Sequence, residues 1–415
     1  MKTIKVIMVS IICYSIGLVF YSFDPLMQSF PSILTNQLMK NFAISSVGVG
    51  VIASSYFYSY NLMQIPAGMI CDKLGSKMVL SISSVICILG LTFFAYSTSL
   101  EQAIFARIVM GLGASCAAVV FLLLCKQYFD IKYLPVLIGV GQFAGNIGAM
   151  GGQYFLTFVT NVYGWRASIN ILSVIPIILI VFTIIFLSKN IRSGTQNNKI
   201  DGTHHIKNVI ANKSNWITAI YAMLLWAPFY TFASLWGIPF LKELLSISTD
   251  QASKLMTIAW LGSGVGSILI GVWSSLIGKR KICLAASASL GAVVFLIMIF
   301  TKTHNDIFLS CMLFIFGCSS AGQALSFVLI ADKNTHQNLG LAVGFNNTAI
   351  MIGPMLLDPI VGWMLNRGWD GQICDGVLIY SAQDYMHAFV IIPILFIGAL
   401  VVGLSYDDNK DEVKV

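Results

Sequence analysis

The chain has 415 residues, of which 57% are hydrophobic and 10% are charged, and its formal net charge is +7. Because soluble proteins carry about 25% charged residues, this composition excludes a water-soluble globular protein. Apolar runs of about 18 or more residues recur along the chain, and each can cross a hydrocarbon core of roughly 30 Å. The sequence therefore predicts a polytopic helical membrane protein.

Twelve of these apolar runs are predicted to be transmembrane helices. They lie at about 4–34, 46–70, 78–97, 101–125, 134–160, 166–188, 214–240, 251–277, 282–301, 306–331, 338–365 and 386–405. The first run is longer than the apolar region of a signal peptide and has no small-residue cleavage site, so we interpret it as a retained span. A polar, Asn-rich segment separates six spans from six and predicts an all-α fold of two six-helix halves. The halves are expected at 1–188 and 214–405, with a cytoplasmic linker at 189–213 and a cytoplasmic tail at 406–415.

Most of the 24 basic residues fall on one side of the membrane if the N-terminus is inside. The positive-inside rule then places both termini in the cytoplasm. The positive charge therefore orients the chain and does not indicate a nucleic-acid partner. The nine cysteines lie mostly within spans or on the cytoplasmic side, so no disulfide framework is predicted. No Cys/His spacing predicts a metal site, and the pair His204-His205 in the linker is interpreted as solvated rather than metal-binding.

The first span contains a single acid, Asp24, followed by Pro25, which removes a backbone donor and bends the helix beside the acid. An ionisable residue at this depth is by default a candidate functional residue. Its depth, ~15 Å from the outer end, overlaps that of Arg107 in the fourth span at ~9 Å. We predict a proton-coupling pair in which Asp24 is ionised against Arg107 in one state and protonated in another. A static ion pair and a direct substrate contact are the alternatives. Tyr21 and Gln28, at i−3 and i+4, are predicted to line the same cavity and to bind substrate.

Polar side chains on the second and fifth spans complete the predicted first-half wall. Tyr56, Tyr60 and Gln64 follow an i, i+4, i+8 stripe and are predicted to bind substrate, with interhelical hydrogen bonding as the alternative. Gln142 and Asn146 share one face of the glycine-rich fifth span, toward the cavity, and are predicted to bind substrate. Small residues let helices approach closely there.

In the second half, Trp226 and Tyr230 are predicted to clamp an apolar part of a substrate while Asn346 and Asn347 hydrogen-bond its polar end. Asp358, near the outer end of the eleventh span, is expected closer to water than Asp24 and is interpreted as a structural or gating acid. Trp236 and Trp363 lie near helix ends and are interpreted as membrane-interface anchors.

The two halves also resemble each other. The loop after the second span reads "GMICDKLGSKM", and the loop after the eighth reads "GVWSSLIGKRK". An offset of 203 positions relates Gly68 to Gly271, Gly75 to Gly278, and "VGQF" at 140–143 to "VGFN" at 343–346. The sequence therefore predicts a duplicated six-helix unit, and such repeats place the substrate site near the midplane between the halves.

The pattern G-x-x-x-D-K-x-G-x-K from Gly68 to Lys77, together with "RIVMGLG" at residues 107–113, resembles two signatures of the major facilitator superfamily. The resemblance covers the whole chain and implies alternating access, with first and fourth helices adjacent. It also implies gating roles for the two loops. The gating residues so implied are Gly68, Asp72, Lys73, Gly75, Lys77, Gly271, Gly278 and Arg280. In the second loop Ser275 replaces the acid, so the charged version of the motif is intact in the first half alone.

The stretch at residues 29–75 is similar to a bacterial subgroup that includes the intraphagosomal amino-acid transporters. That similarity implies uptake of a small polar metabolite and puts Tyr60 at a substrate-contacting position. In the fifth span, Asn146 replaces the proline that superfamily antiporters often carry, which argues against drug/proton antiport.

Together these features predict a proton-coupled symporter that imports a small polar organic solute, with an amino acid favoured, across a bacterial inner membrane. We expect a monomer whose partners are substrate, protons and lipid, with no cofactor, metal or enzymatic activity. The alternatives are an exporter, or a carrier of organic anions such as sugar acids or siderophores. A non-transporting solute sensor would be expected to carry a larger soluble output domain than the tail at 406–415, and a membrane enzyme would need a nucleophile–base or metal cluster.

Overall fold

The computed structural model describes residues 2–130, 133–187, 202–301, 305–335, 338–374 and 377–408. Helices account for nearly all of the regular structure in these residues. The helices are α1 (Lys2–Ser29), α2 (Thr35–Phe42), α3 (Ser46–Tyr96), α4 (Leu100–Ala114), α5 (Ala117–Tyr128), α6 (Leu134–Tyr163), α7 (Trp165–Leu172), α8 (Val174–Phe186), α9 (Gly202–Ala211), α10 (Lys213–Thr231), α11 (Gly237–Leu245), α12 (Thr249–Ile277), α13 (Arg280–Phe300), α14 (Asp306–Ser320), α15 (Gly322–Asp332), α16 (Leu339–Gly368), α17 (Ala382–Ala388) and α18 (Ile391–Leu404). A 3₁₀ turn follows α1 at Phe30–Ile33, a π-helical segment lies at Phe232–Trp236, and β1 (Ile373–Cys374) pairs with β2 (Val377–Leu378) as an antiparallel hairpin.

Ten helical segments of the described chain are long and apolar enough to cross a bilayer. The bent pair Thr35–Phe42 and Ser46–Gln64 makes an eleventh if it is one span. The fifth predicted span corresponds to α6, a helix of 30 residues. The predicted all-α, polytopic fold is therefore confirmed.

Several predicted spans are interrupted rather than straight. The long helix α3 contains Gly75 with φ 76° and ψ 158°, so it is two spans joined at the predicted loop. A residue with a side chain is strained at such a φ, which explains the glycine. The fourth span breaks between α4 and α5 and the tenth between α14 and α15, so both are pairs of shorter helices.

The chain divides into two compact units, Met1–Ile44 with Val51–Asn197, and Ser45–Gly50 with Asn198–Val415. In the first unit, α1 packs against α5, α6 and α8. The approach of α6 to α1 needs glycine, because a Cβ on Gly148 would overlap the Ser22 carbonyl.

In the second unit, α10 packs against α15, α16 and α18. A buried cluster of aromatic rings lies inside it. Phe232 lies 5.3 Å from Phe295 and 5.4 Å from Phe389 between ring centroids, and Phe295 lies 5.1 Å from Phe316. Such contacts add to the area burial that holds the unit together.

The sequence repeat has a structural counterpart in each unit. A Cβ on Gly111 of α4 would overlap the Tyr56 carbonyl of α3. A Cβ on Gly262 of α12 would overlap the Phe314 carbonyl of α14. Gly262 and Phe314 lie 203 positions after Ser59 and Gly111, so equivalent helix pairs cross at equivalent points.

Part of the predicted linker is helical. Val209 of α9 packs with Ile330 and Ala342 in a small buried cluster of the second unit. The side chains of His204 and His205 lie outside the described residues. The described cysteines have free thiols, and the side chain of Cys374 also lies outside the described residues.

Candidate functional site

Asp24 is buried on α1, and its carboxylate accepts hydrogen bonds from two neighbours. The Gln28 Nε2 atom donates to Oδ1 at 2.7 Å, and the Tyr56 hydroxyl donates to the same oxygen at 2.6 Å. Gln28 reaches the carboxylate because it lies one turn later on the same face of α1. Tyr60, one turn after Tyr56 on α3, also lies near this carboxylate, and its ring stacks on that of Tyr56 at 6.0 Å. Neutral donors from α1 and α3 therefore surround the acid, and the structure brings these four predicted site residues together.

Arg107 on α4 is completely buried and donates to backbone carbonyls of two other segments. Its Nη1 lies 2.6 Å from the Met27 oxygen. Its Nε lies 3.2 Å from the Ile52 oxygen, and its Nη2 lies 3.2 Å from the Ala53 oxygen. The Met27 carbonyl lacks its usual helical donor because the residue four positions later is Pro31. This link is absent from the sequence predictions, although a proline four residues after Met27 signals a freed carbonyl.

The guanidinium of Arg107 also lies over two aromatic rings. Its carbon is 4.7 Å from the ring centroid of Tyr56 and 5.1 Å from that of Phe30. Within the described residues, the structure contains no salt bridge between Asp24 and Arg107. Tyr56 lies between them instead, with its ring under the cation and its hydroxyl on the carboxylate. The predicted direct ion pair is therefore not the arrangement of this conformation.

Tyr21, Gln142 and Asn146 form a second part of the candidate site, between α1 and α6. The Tyr21 ring stacks on Phe121 at 5.2 Å, and Gln142 lies beside the Tyr21 hydroxyl. Gln142 is exposed, and the half-buried Asn146 donates to the Gln142 carbonyl at 3.3 Å. These side chains are more accessible than Tyr56, which is fully buried. Gln64 is half-buried one turn beyond Tyr60 on α3.

In the second unit, Trp226 and Tyr230 are in contact, with ring centroids 5.6 Å apart. Tyr230 meets Trp260 edge-on at 5.8 Å. The Trp226 indole N–H is buried and has no hydrogen-bond partner among the described residues. It is therefore a donor that a bound solute can satisfy.

The two asparagines lie elsewhere in this unit. Asn346 is buried and donates to the Ser326 hydroxyl at 2.8 Å, and Asn347 beside it is half-buried. The neighbouring Phe345 contacts Trp216, which precedes Trp226 by ten residues, or about 15 Å along α10. Asn346 therefore lies near the start of α10, at a different level along that helix from Trp226, and the binding of one substrate by both residues stays a prediction.

Two predictions for the second unit are wrong. Asp358 does not lie nearer to water than Asp24, because its exposed fraction is 1% against 5%. Trp236 is not an interface anchor, because it is buried and its indole N–H donates to the Asp358 carbonyl at 3.2 Å. The Asp358 region of α16 is covered by this contact and by Gly50, whose missing side chain leaves room for the Asp358 backbone.

The predicted gating loops make specific contacts within each unit. The Lys77 Nζ atom donates to the carbonyls of Ile184 and Leu187 at 2.8 and 2.6 Å, at the end of α8. In the second unit Arg280, 203 positions after Lys77, forms a 2.7 Å salt bridge with Asp332.

The remaining gating residues are less constrained. Gly278 ends α12 in the left-handed conformation, Gly68 and Gly271 have open space around them, and Lys73 is exposed. The side chain of Asp72 lies outside the described residues. Across the described chain, no group of three or more His, Cys, Asp or Glu side chains could hold a metal ion.

A family model described as Major Facilitator Superfamily matches residues 9–238 and 219–414. The galactarate/D-glucarate transporter GarP of Escherichia coli K12, described as probable, is 23% identical over 388 residues, covering 80% of this chain and 83% of that protein. The hexuronate transporter of Bacillus subtilis is 22% identical over 355 residues, with the same coverage of 80% and 83%. The chloroplastic ascorbate transporter of Arabidopsis thaliana is 22% identical over 383 residues, covering 84% and 69%.

Solved structures show the same fold. A bacterial homologue of the human lysosomal transporter Spinster, inward-facing and unoccupied, aligns with a TM-score of 0.78 at 13% identity, covering 95% of this chain and 96% of that one. The nucleoside transporter NupG aligns with a TM-score of 0.70 at 15% identity, covering 96% of this chain and 100% of that one.

Proposed function

We propose that this chain, which belongs to the major facilitator superfamily, is a proton-coupled symporter importing a small polar solute, with an amino acid as the favoured class. Transport of a small molecule across a membrane is the function common to its relatives. The substrate class, the coupling to protons and the direction are the proposal. So are a monomeric state and an orientation with both termini in the cytoplasm, which the distribution of Lys and Arg supports.

Proton coupling is supported by one observation, the burial of Asp24 among neutral donors. A carboxylate inside a membrane protein is costly, and where it is retained it often takes part in proton transfer. Gln28 and Tyr56 can hydrogen-bond the group in either protonation state, because each keeps a donor and an acceptor. Asp24 can therefore bind and release a proton without losing its neighbours.

The ionisable cluster belongs to one repeat. The positions 203 residues after Asp24, Tyr56 and Arg107 are Ala227, Ala259 and Ser310, which have no ionisable side chain. This difference between the two halves supports a division of labour, with proton binding in the first unit.

The favoured substrate class follows from the shortage of available cations. Arg107 is the one buried Lys or Arg side chain among the described residues, and it is engaged by three carbonyls. A dianionic solute would need positive partners, because an uncompensated charge in a low-dielectric site is costly. A zwitterion needs fewer positive partners, and the Trp226 N–H offers one donor for its carboxylate oxygen.

A carrier of sugar acids is the second candidate, and the relatives favour it. Proteins described as galactarate/D-glucarate and hexuronate transporters align over 80% of this chain. Their identity of 22–23% leaves room for a change of substrate, so the transported solute has to be measured.

Uptake into proteoliposomes tests the proposal. The purified protein is offered labelled amino acids, galactarate and glucuronate, with and without an inward proton gradient. We expect accumulation of an amino acid that requires the gradient. Accumulation of the sugar acids alone would replace amino acids by sugar acids as the substrate class. Accumulation independent of the gradient would overturn proton coupling.

A further inference from the structure

We propose that Tyr56 is a positioning residue through which Arg107 acts on Asp24, and that Arg107 is a fixed structural cation that does not swing onto the carboxylate. The role of this three-residue arrangement in transport rests on the proton coupling proposed above. Tyr56 then belongs to the proton site and not to the substrate site, and it stands between Asp24 and Arg107 in place of a direct ion pair.

Arg107 is fixed because its hydrogen bonds run to two other segments, the end of α1 and the helix α3. Its Nη1 donates to the Met27 carbonyl, which Pro31 deprives of a helical donor, and its other nitrogens donate to α3. Moving the guanidinium to Asp24 would leave the Met27 oxygen buried and unpaired. Buried backbone groups without partners are rare in proteins because they are costly, so the cation stays where it is.

Tyr56 is held equally firmly. A Cβ on Gly111 would overlap its carbonyl, and the Ser59 hydroxyl, one turn on, donates to the Ile108 carbonyl at 2.5 Å. These contacts fix the backbone of α3 against α4 at this level. The Tyr56 ring is therefore trapped between the guanidinium at 4.7 Å and the Asp24 carboxylate at 2.6 Å from its hydroxyl.

The arrangement has an electrostatic consequence. A cation over an aromatic face is attracted by the ring electrons and withdraws them toward itself. A phenol polarised in this way is a stronger donor, and in a low-dielectric interior hydrogen bonds polarise one another. Arg107 thus stabilises the ionised form of Asp24 by way of the Tyr56 hydroxyl.

Other ionisable groups face Asp24 from the surrounding helices. They are Tyr21 on α1, Tyr60 and Cys87 on α3, and Arg107 on α4. Cys125 on α5 lies beside Tyr14, ten residues or about 15 Å along α1 from Asp24. α8 has no ionisable side chain, and the tyrosines of α6, Tyr154 and Tyr163, are exposed. Tyr56 is the group for which the structure records contacts with both the carboxylate and the guanidinium.

Infrared difference spectroscopy of the purified protein tests the proposal without knowing the substrate. The carboxyl stretching band of protonated Asp24 is titrated with pH and assigned by its loss in Asp24→Asn. Tyr56→Phe is expected to move the midpoint of this band to higher pH by about one unit, because the ionised form loses a donor. Tyr58→Phe is the matched control, since Tyr58 lies on the same helix, is exposed and is outside the site.

A double-mutant comparison separates a path through Tyr56 from a direct effect. Arg107→Lys is expected to shift the midpoint in the wild-type background and to leave it unchanged in Tyr56→Phe. Equal shifts in both backgrounds would overturn the proposal, as would a Tyr56→Phe midpoint equal to that of Tyr58→Phe. If Arg107→Lys does not fold, the comparison of the two tyrosine variants decides.

Different results would contradict the proposed function and the three-residue arrangement. Uptake that ignores the proton gradient, together with the expected infrared shifts, would remove proton coupling and leave the three-residue arrangement standing. Absence of a titrating band that Asp24→Asn removes would overturn the inference itself.

Discussion

The Arg107 Nη1 atom and the Met27 carbonyl oxygen are joined by a 2.6 Å hydrogen bond at the point where the first span ends its regular helix. Met27 needs an external donor because Pro31 cannot supply one, and Arg107 needs acceptors because it is buried. The hydrogen bond between them gives the Met27 carbonyl its donor and the Arg107 guanidinium one of its acceptors. A buried arginine and a proline-broken helix are therefore one structural feature, and its removal should be costly.

Arg107→Gln is expected to destabilise the protein by about 3 kcal/mol or more, since it leaves buried carbonyls without charged donors. The measurement is thermal unfolding in detergent. Arg166→Gln is the comparison, because Arg166 also donates to a carbonyl, that of Ser97 at 2.8 Å, but does so at a partly exposed site. We expect a cost there of about 1 kcal/mol or less. Equal losses of stability in the two variants would show that the burial of Arg107 adds nothing to its contribution to stability.

Asp24→Asn is expected to abolish gradient-driven uptake while solute exchange persists, because asparagine keeps hydrogen-bonding groups for Tyr56 and Gln28 but cannot bind a proton. Both activities are measured in the same proteoliposomes. Asp358→Asn, which changes a buried acid in a span of the other unit, is expected to leave uptake dependent on the gradient. Gradient-driven accumulation that survives Asp24→Asn unchanged would remove Asp24 from the proton pathway.

Gly111→Ala is expected to destabilise the first unit by about 1–3 kcal/mol, because the new methyl group would overlap the Tyr56 carbonyl and force α3 and α4 apart. Gly151→Ala, on α6 with open space around it, should be neutral or stabilising by up to about 1 kcal/mol. Unfolding temperatures in detergent compare them. A destabilised Gly151→Ala beside an unaffected Gly111→Ala would contradict the packing argument.

The grouping of Asp24, Gln28, Tyr56 and Tyr60 could be predicted because it depends on helical spacing and on the cost of a lone acid in an apolar run. The partners of Arg107 could not, since backbone carbonyls carry no sequence signal unless a proline frees one. The burial of Asp358 was unpredictable because distance along a helix does not report what other segments cover it. The prediction pairs Asn346 and Asn347 with Trp226 because of their residue type alone. The sequence does not report that they lie beside the start of α10, about ten residues along that helix from Trp226.

Lys77→Gln is expected to cost about 0.5–1 kcal/mol, because the positive charge at the carbonyl end of α8 is lost. Lys73→Gln serves as the control, because Lys73 is an exposed residue of the same loop and its replacement should change stability by less than about 0.5 kcal/mol. Denaturation at low and high salt distinguishes them further, since screening should reduce the difference. A difference unaffected by salt would assign the Lys77 contribution to packing rather than charge.

Asn215 connects three segments at the start of α10. Its Nδ2 donates to the Val209 carbonyl of α9 at 2.9 Å and to the Asn334 Oδ1 atom at 3.2 Å, and Asn334 donates back to it at 2.7 Å. Because Asn215 is fully buried, Asn215→Ala leaves the amide of Asn334 and the Val209 carbonyl short of partners.

We expect Asn215→Ala to lower stability by about 1–3 kcal/mol and to release α9 locally. Hydrogen exchange of peptides covering 202–211 measures the release, and Asn161→Ala on the exposed face of α6 is the control. Faster exchange confined to α9 is the expected result, because the segment is held by this amide pair and by the small cluster around Val209. Unchanged exchange in α9 together with a lowered unfolding temperature would mean that Asn215 stabilises the α10–α15 contact and does not hold the linker helix.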